Sequence, residues 1–277
     1  MQPDYIDIHA HLNFAAYDAD REEVVVRTLA ENVHVINVGT EQATSKSAVE
    51  LARMHEGLYA AIGLHPTHTA ASHSDPSEFG AGNDTVAATG ETFDYEYYKA
   101  LAADPKVVAI GECGLDYFRL DTDTAARQKA AFEAEIALAN GLGKPLMLHI
   151  RNGSEGNAYA DALEMLRTLA TVRGDVHFFA GDWDTARSFL ELGFTLSFTG
   201  VITFARNYDE VVRNAPLDMI MAETDCPYVA PAPFRGKRNE PLHVREVYKK
   251  IAEIRGEDEE MVRRQVVATA SNLFGLK

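Results

Sequence analysis

The feature that most constrains this chain is a rhythm in which short apolar or β-branched runs alternate with longer amphipathic stretches. The runs are Ile6–His9, Val33–Val38, Leu58–Leu64, Val107–Glu112, Pro145–His149, Val176–Phe179, Phe194–Phe198 and Leu217–Glu223. Helical stretches include Ala125–Asn140, Gly156–Thr171, Trp183–Leu192, Pro241–Ile254 and a last one at Asp258–Thr269. Ala130, Glu133, Ala134 and Ala137 fall at helical spacing, and Gly141-Leu142-Gly143 closes that helix. Strands that alternate with helices pair in parallel. Uninterrupted apolar runs such as Val107–Ile110 suit strands buried on both faces. The expected fold is a (β/α)8 TIM-type barrel, one domain over residues 1–277. Such a barrel takes roughly 250 residues. The rival is a doubly wound open sheet, which would place a glycine-rich phosphate loop after its first strand; this chain places histidines there. Residues 70–92 break the rhythm with Ala, Ser, Gly, Asp and Thr, and read as a long loop that could overhang the barrel mouth.

Composition narrows the partners. The formal net charge is −16, from 26 basic and 42 acidic residues. A protein that grips long duplex shows a basic face, so a nucleic-acid partner here should be a short stretch or a strand end, met at a locally positive site. Bound divalent cations would supply part of that charge. No run approaches the ~18 apolar residues of a membrane span, so no membrane partner is expected. Met1–Asp7 is polar and acidic, unlike a secretory leader. Two cysteines, Cys113 and Cys226, make no disulfide framework. A cytoplasmic protein is expected.

The ionisable residues gather at predicted strand ends. His9 and His11 end the first strand, His65 the third, Glu112 the fourth and His149 the fifth; His177 lies in the sixth and Asp225 follows the eighth. Barrel active sites are assembled at the C-terminal ends of several strands. In His9-Ala10-His11, residues i and i+2 of a strand point the same way, so both imidazoles reach one ion. Imidazole suits zinc, manganese, iron, cobalt or nickel better than magnesium or calcium. A carboxylate has two oxygens, so Glu112 is able to bridge two ions, and a two-ion site can hold an attacking hydroxide and steady both oxygens of a phosphodiester displacement. Taken singly, each residue has a plainer reading. A His-x-His pair is often incidental, His149 in an apolar strand could be a satisfied buried histidine, and Glu112 a salt-bridge partner. Convergence argues otherwise, because burying these groups together without a cation is costly. For His68 both a substrate contact and a solvated loop position stay open. Asp7 is either a partner behind the ligands or a structural acceptor. Cys113, Cys226 and Trp183 read as packing residues, and His34, His55, His73 and His243 as structural or solvated.

The segments Asp7-Ile8-His9-Ala10-His11-Leu12, Gly63-Leu64-His65-Pro66, Gly111-Glu112-Cys113-Gly114-Leu115-Asp116-Tyr117, His149-Ile150-Arg151, Glu223-Thr224-Asp225-Cys226-Pro227 and Arg238-Asn239-Glu240-Pro241 together resemble the TatD family of metal-dependent deoxyribonucleases, within the amidohydrolase-like barrels. They occur in family order over nearly the whole chain. The resemblance implies that His9, His11 and Asp225 hold one divalent cation and His149 and His177 a second, with Glu112 shared. It implies Asp225 as general base, and His65 and Arg151 as contacts to the scissile phosphate. The ion would be zinc, manganese, magnesium or similar. The family often carries Cys-Phe-Ser-Gly after the sixth-strand histidine, where this chain reads Phe178-Phe179-Ala180-Gly181. The loop at 70–92 is also longer than is common in the family.

The expected activity is hydrolysis of DNA phosphodiesters, as an exonuclease on a single strand or strand end. Arg235, Lys237 and Arg238, in the loop beyond the eighth strand, form the local basic cluster expected to receive it, with Lys237 and Arg238 as substrate contacts. One rival keeps the barrel and the ions but cleaves an amide, ester or lactone; such relatives often bridge their metals with a carbamylated lysine, and no lysine ends a strand here. A second rival is a metal-stabilised binding protein without catalysis, against which the complete ligand set and Asp225 argue.

Overall fold

A computed structural model of the chain describes residues 2–71, 75–80, 90–119, 124–154 and 156–276. Its strands are β1 (Tyr5–Ala10), β2 (Val33–Val38), β3 (Leu58–Ile62), β4 (Val107–Asp116), β5 (Leu146–Arg151), β6 (Gly174–Val176), β7 (Thr195–Phe198) and β8 (Ile220–Ala222). They form one sheet in the order β1 to β8, every neighbouring pair parallel. The seam between the first and last strands closes through a parallel bridge of Ala10 to Cys226. Helices α1 (Arg21–Ala30), α2 (Gln42–Met54), α3 (Pro76–Phe79), α4 (Tyr95–Leu101), α5 (Ala125–Leu142), α6 (Ala158–Leu169), α7 (Trp183–Glu191), α8 (Asp209–Asn214), α9 (Val244–Arg255) and α10 (Glu259–Phe274) follow the strands. This is the expected (β/α)8 barrel. Among the described residues, no helix is long and apolar enough to cross a membrane.

Local chemistry sets the helix ends. Glu41 and Thr44 form a reciprocal capping box at α2. Gly143, in the left-handed conformation at φ +65°, ends α5. Several strand edges differ from expectation: β3 stops at Ile62, β4 runs on to Asp116, and for two others the cause is visible. The sixth begins at Gly174 and stops before His177, because Phe178 turns left-handed at φ +45° and sends its N–H to Glu223. The eighth is shorter than Leu217–Glu223, because Leu217–Met219 forms a 3-10 turn after Pro216.

Strand alternation divides the apolar residues into two shells. Leu58, Ala60 and Ile62 on β3, and Leu146, Leu148 and Ile150 on β5, join the large outer core under the helices. Ile6, Ile8, Ile36, Ala61, Ala109, Met147 and Met221 face the barrel interior, with Ala270 and Phe274 of α10 in the same cluster. Burying each Ile or Met side chain contributes about 1.5–3 kcal/mol. The interior above this floor is polar.

Gly111 permits the sharpest feature of β4. Its φ is +150°, and a Cβ there would sit 2.3 Å from the Met147 carbonyl oxygen. The register with β5 shifts across it, between Ile110 and Cys113. Of the loop at 70–92, residues 72–74 and 81–89 (with His73) lie outside the described residues. The described part includes α3, capped by Asp75.

Candidate metal centre

Each expected ligand sits where a strand opens onto the mouth. His9 and His11 leave β1 with their Nε2 atoms 3.1 Å apart. Glu112 reaches in from β4, His149 from β5 and His177 from just past β6. Asp225 follows β8 in a left-handed turn at φ +54°, a conformation that Asp tolerates better than most residues. The Glu112 carboxylate lies 3.4 Å from His9, 3.9 Å from His11, 3.4 Å from His65, 2.9 Å from His149 and 3.7 Å from His177. Asp225 lies 3.4 Å from His11 and 4.0 Å from His9. All six expected ligands, and His65, therefore meet in one cluster.

The outer partners of these rings aim them. His11 Nδ1 lies 3.0 Å from the Val38 carbonyl, His65 Nδ1 2.6 Å from the Thr67 hydroxyl, His177 Nδ1 3.0 Å from Glu223, and His149 Nε2 2.9 Å from Asp116. In each ring the other nitrogen faces the common centre. Such oxygen partners behind an imidazole fix its tautomer and raise its basicity as a ligand. His9 Nδ1 is buried with no hydrogen-bond partner.

The electrostatics ask for positive charge. Burial by itself would raise the Glu112 carboxyl; the imidazoles of His65, His9 and His149 overcome that and hold it well below the usual range. Burial would likewise push His177 down, but Glu223, Glu112 and Asp225 push it up to about 10. Asp225 is also held below its ordinary value despite burial, by His11 and His177. Converging imidazole nitrogens among buried carboxylates are a donor set that suits divalent transition ions. Three groups have ligand atoms within 4.8 Å of one another: His9–His11–Asp225, His65–Glu112–His149 and His9–His177–Glu223. The first is the trio expected for one ion. The second contains His65, expected as a substrate contact, and not His177.

The cluster opens into a cavity of about 880 Å³ whose wall includes His68, Asp75, Glu78, Arg119, Arg151, Phe178 and Tyr228. His68 lies in that wall, 3.4 Å from Glu78, rather than on a solvated loop. In the described part of the 70–92 loop, Glu78 accepts a hydrogen bond from the Thr40 hydroxyl, and Asp75 accepts one from Tyr228 at 2.8 Å. Asp7 is a structural acceptor. It takes hydrogen bonds from the Thr224 N–H at 2.9 Å and hydroxyl at 2.5 Å, tying the Asp225 turn to β1.

The basic cluster behaves differently from expectation. Arg238 spends its guanidinium on both oxygens of Asp20, at 2.8 and 2.6 Å, and on the Ala16 carbonyl, and lies over the Tyr17 ring. Expected as a substrate contact, it here clamps α1 to the last loop, because a bidentate carboxylate pair holds the fork in place. Arg235 lies over Phe204. Lys237 is exposed, but like Arg238 it is absent from the cavity wall. Arg151 does line the cavity.

Sequence reasoning missed Asp116, Glu223 and Arg119. The two carboxylates sit within or beside the quoted motifs, so only their spatial partners give them roles. Cys113 and Cys226 are buried packing residues, and Trp183 packs against the core. His55 pairs with Glu22, and His243 stacks on Phe234.

Known proteins match this chain over nearly its whole length. The family described as TatD related DNase matches residues 6–275. An uncharacterized metal-dependent hydrolase, YabD of Bacillus subtilis, is 38% identical over 97% of this chain and 98% of its own length. The protein named 3'-5' ssDNA/RNA exonuclease TatD in Klebsiella pneumoniae is 32% identical over 98% of this chain and 97% of its own. The crystal structure of YJJV, a TatD homologue from Escherichia coli, superposes with a TM-score of 0.83 at 27% identity, covering all of both chains. The cluster of imidazoles and carboxylates at the barrel mouth is thus the centre of a chain that belongs to the TatD family of metal-dependent hydrolases.

Proposed function

We propose that this chain hydrolyses phosphodiester bonds of single-stranded DNA from an end, with two divalent cations at the barrel mouth. The observation that carries the reading is Glu112: five imidazoles, from four separate strand ends, lie within 4 Å of its carboxylate. His9, His11 and Asp225 would hold one cation. His149 and His177 would hold the second, with Glu112 shared between the two and His65 beside its carboxylate. Bound there, the cations would polarise a phosphodiester oxygen and make a water more acidic.

The chain's own groups do the rest. Asp225, kept ionised and facing the cavity, accepts the proton of the attacking water. The water oxygen forms the new bond to phosphorus as the ester oxygen leaves, taking a proton from solvent. His65 and Arg151 orient the phosphate, and Glu223 and Asp116 keep His177 and His149 in register. The name of the Klebsiella relative supports a single-stranded substrate. Buried, unbridged Cys113 and Cys226 agree with a cytoplasmic setting.

The test is a metal-reconstituted assay on end-labelled single-stranded DNA beside amide, ester and lactone substrates. Stepwise shortening of the DNA, with about two ions per chain by elemental analysis, is expected. Turnover of an amide or lactone with the DNA left intact would overturn the reading in favour of amidohydrolase chemistry.

A further inference from the structure

The mouth of the barrel is not uniform around its circumference. Helix α3 covers one side. It packs on the Ala15–Tyr17 turn after β1, and Glu78 and Asp75 bind Thr40 after β2, His68 after β3 and Tyr228 after β8. In a barrel of order β1 to β8, the loops after β4 and β5 lie across from that seam. There the wall carries Arg119 and Arg151, and among the described residues neither has a carboxylate partner. Next to them Phe118 is 61% exposed, the Arg151 guanidinium lying 4.0 Å from its ring centroid.

This face is built, and the metal centre builds it. One oxygen of Asp116 accepts the backbone N–H groups of Phe118 and Arg119, at 2.8 and 2.7 Å, which bends the chain as it leaves β4. The other oxygen lies 2.9 Å from His149 Nε2. A single buried carboxylate thus holds both a metal-facing ring and the turn that presents an aromatic ring and a cation. An exposed aromatic ring beside guanidinium groups is what an unpaired base and its phosphates require: the ring stacks the base, and the cations take the charge.

We propose that Phe118, Arg119 and Arg151 form a nucleotide subsite over the β4–β5 side, which stacks an unpaired base next to the cleaved bond. The strand runs away from the mouth across this face, and its end stops at the acidic α3 wall opposite. This rests on the reading of the chain as a hydrolase of single strands, and it names where the strand lies. It also replaces the path through Lys237 and Arg238.

The test measures binding of a short fluorescein-labelled single-stranded oligodeoxynucleotide by anisotropy, with the metal-loaded full chain carrying Asp225→Asn to slow turnover. Phe118→Ala should weaken binding about tenfold, within what one base stack contributes, and Phe118→Trp should restore it. Arg119→Gln should weaken binding and reduce the slope of log affinity against log salt by about 0.7, one phosphate contact on a single strand. In the chain with Asp225 intact, Phe118→Ala should lower the ratio of kcat/KM on the oligonucleotide to that on bis(p-nitrophenyl) phosphate by a similar factor. Tight binding by the parent with Phe118→Ala within twofold of it would overturn the subsite and leave the hydrolase reading standing. A loss that Phe118→Trp does not restore would overturn it too, since stacking is what the two rings share. A parent that neither binds nor cleaves any single strand would remove the hydrolase reading and the subsite together.

Discussion

Along β5, Met147 and His149 point to the same side of the strand, yet Met147 belongs to the apolar floor of the barrel and His149 to a ring of ionisable groups at its mouth. Met221 and Glu223 repeat the step beside β8. The floor contributes by keeping apolar surface from water. The mouth sets buried carboxylates against buried imidazoles, which costs desolvation and is offset only by hydrogen bonds and opposite charge. The comparison teaches that two residues along one strand separate a stabilising region from a reactive one. Each should therefore respond to a different kind of perturbation.

The largest effect is expected at the mouth. Asp225→Asn should lower kcat by about 10²–10⁴, the usual range for a general base, while the thermal unfolding midpoint of the ion-free protein falls only modestly, by the loss of the charge that faces His11 and His177. A steep drop in that midpoint would erase the distinction, for it would make Asp225 a structural residue. At the floor the order reverses. Ile36, fully buried on β2, should cost about 2–5 kcal/mol of stability when changed to Ala, with the ions bound per folded chain unchanged. Elemental analysis of the folded fraction checks this, and a proportional loss of ions would join the two regions again.

Chelation comes next in size. An ion present at about a hundred times its Kd stabilises by about 2.7 kcal/mol, so removing it should lower Tm by about 5–10 °C in a chain of this size. Glu112→Gln should abolish most of that difference. If the substituted chain responds to chelator as fully as the parent, Glu112 is not where the ions are held.

The smallest effect sharpens the contrast with a third buried carboxyl. Glu135 on α5 accepts the Leu64 N–H at 2.8 Å. Burial, with Glu91 adding to it, holds its carboxyl well above the usual range, the reverse of Glu112. A raised acid stabilises fully below its unfolded value and loses that contribution as pH rises through its folded value. Denaturant midpoints across pH should therefore fall less steeply on the alkaline side for Glu135→Gln than for the parent. Parallel curves would mean that Glu135 is ionised in the folded chain.

The barrel and its cluster of ionisable residues were legible because both follow the strand rhythm. The strands announce themselves as apolar runs, and His9, His11, His65, Glu112, His149 and Asp225 fall where those runs end. What was not legible is pairing across long separations. Arg238 looked free because its partner, Asp20, is 218 positions away. Arg119 was missed because Arg151, across the β4–β5 loop, is what makes it part of a face. Glu223 read as the end of a strand, although His177 depends on it.

The seam of the barrel carries a mechanical consequence. Ala10 pairs with Cys226, Asp225 donates its N–H to the His9 carbonyl at 2.9 Å, and Asp7 ties Thr224 across 217 positions. The hoop of strands is therefore fastened at its rim in part by His9 and Asp225, two of the residues that would grip the first ion. Loading that ion would work as a clasp, joining the earliest and latest strands of the chain at the one joint where neither is the other's neighbour in sequence. Taking it out would slacken that joint first, while the pairings from β1 round to β8 keep the rest of the hoop in shape.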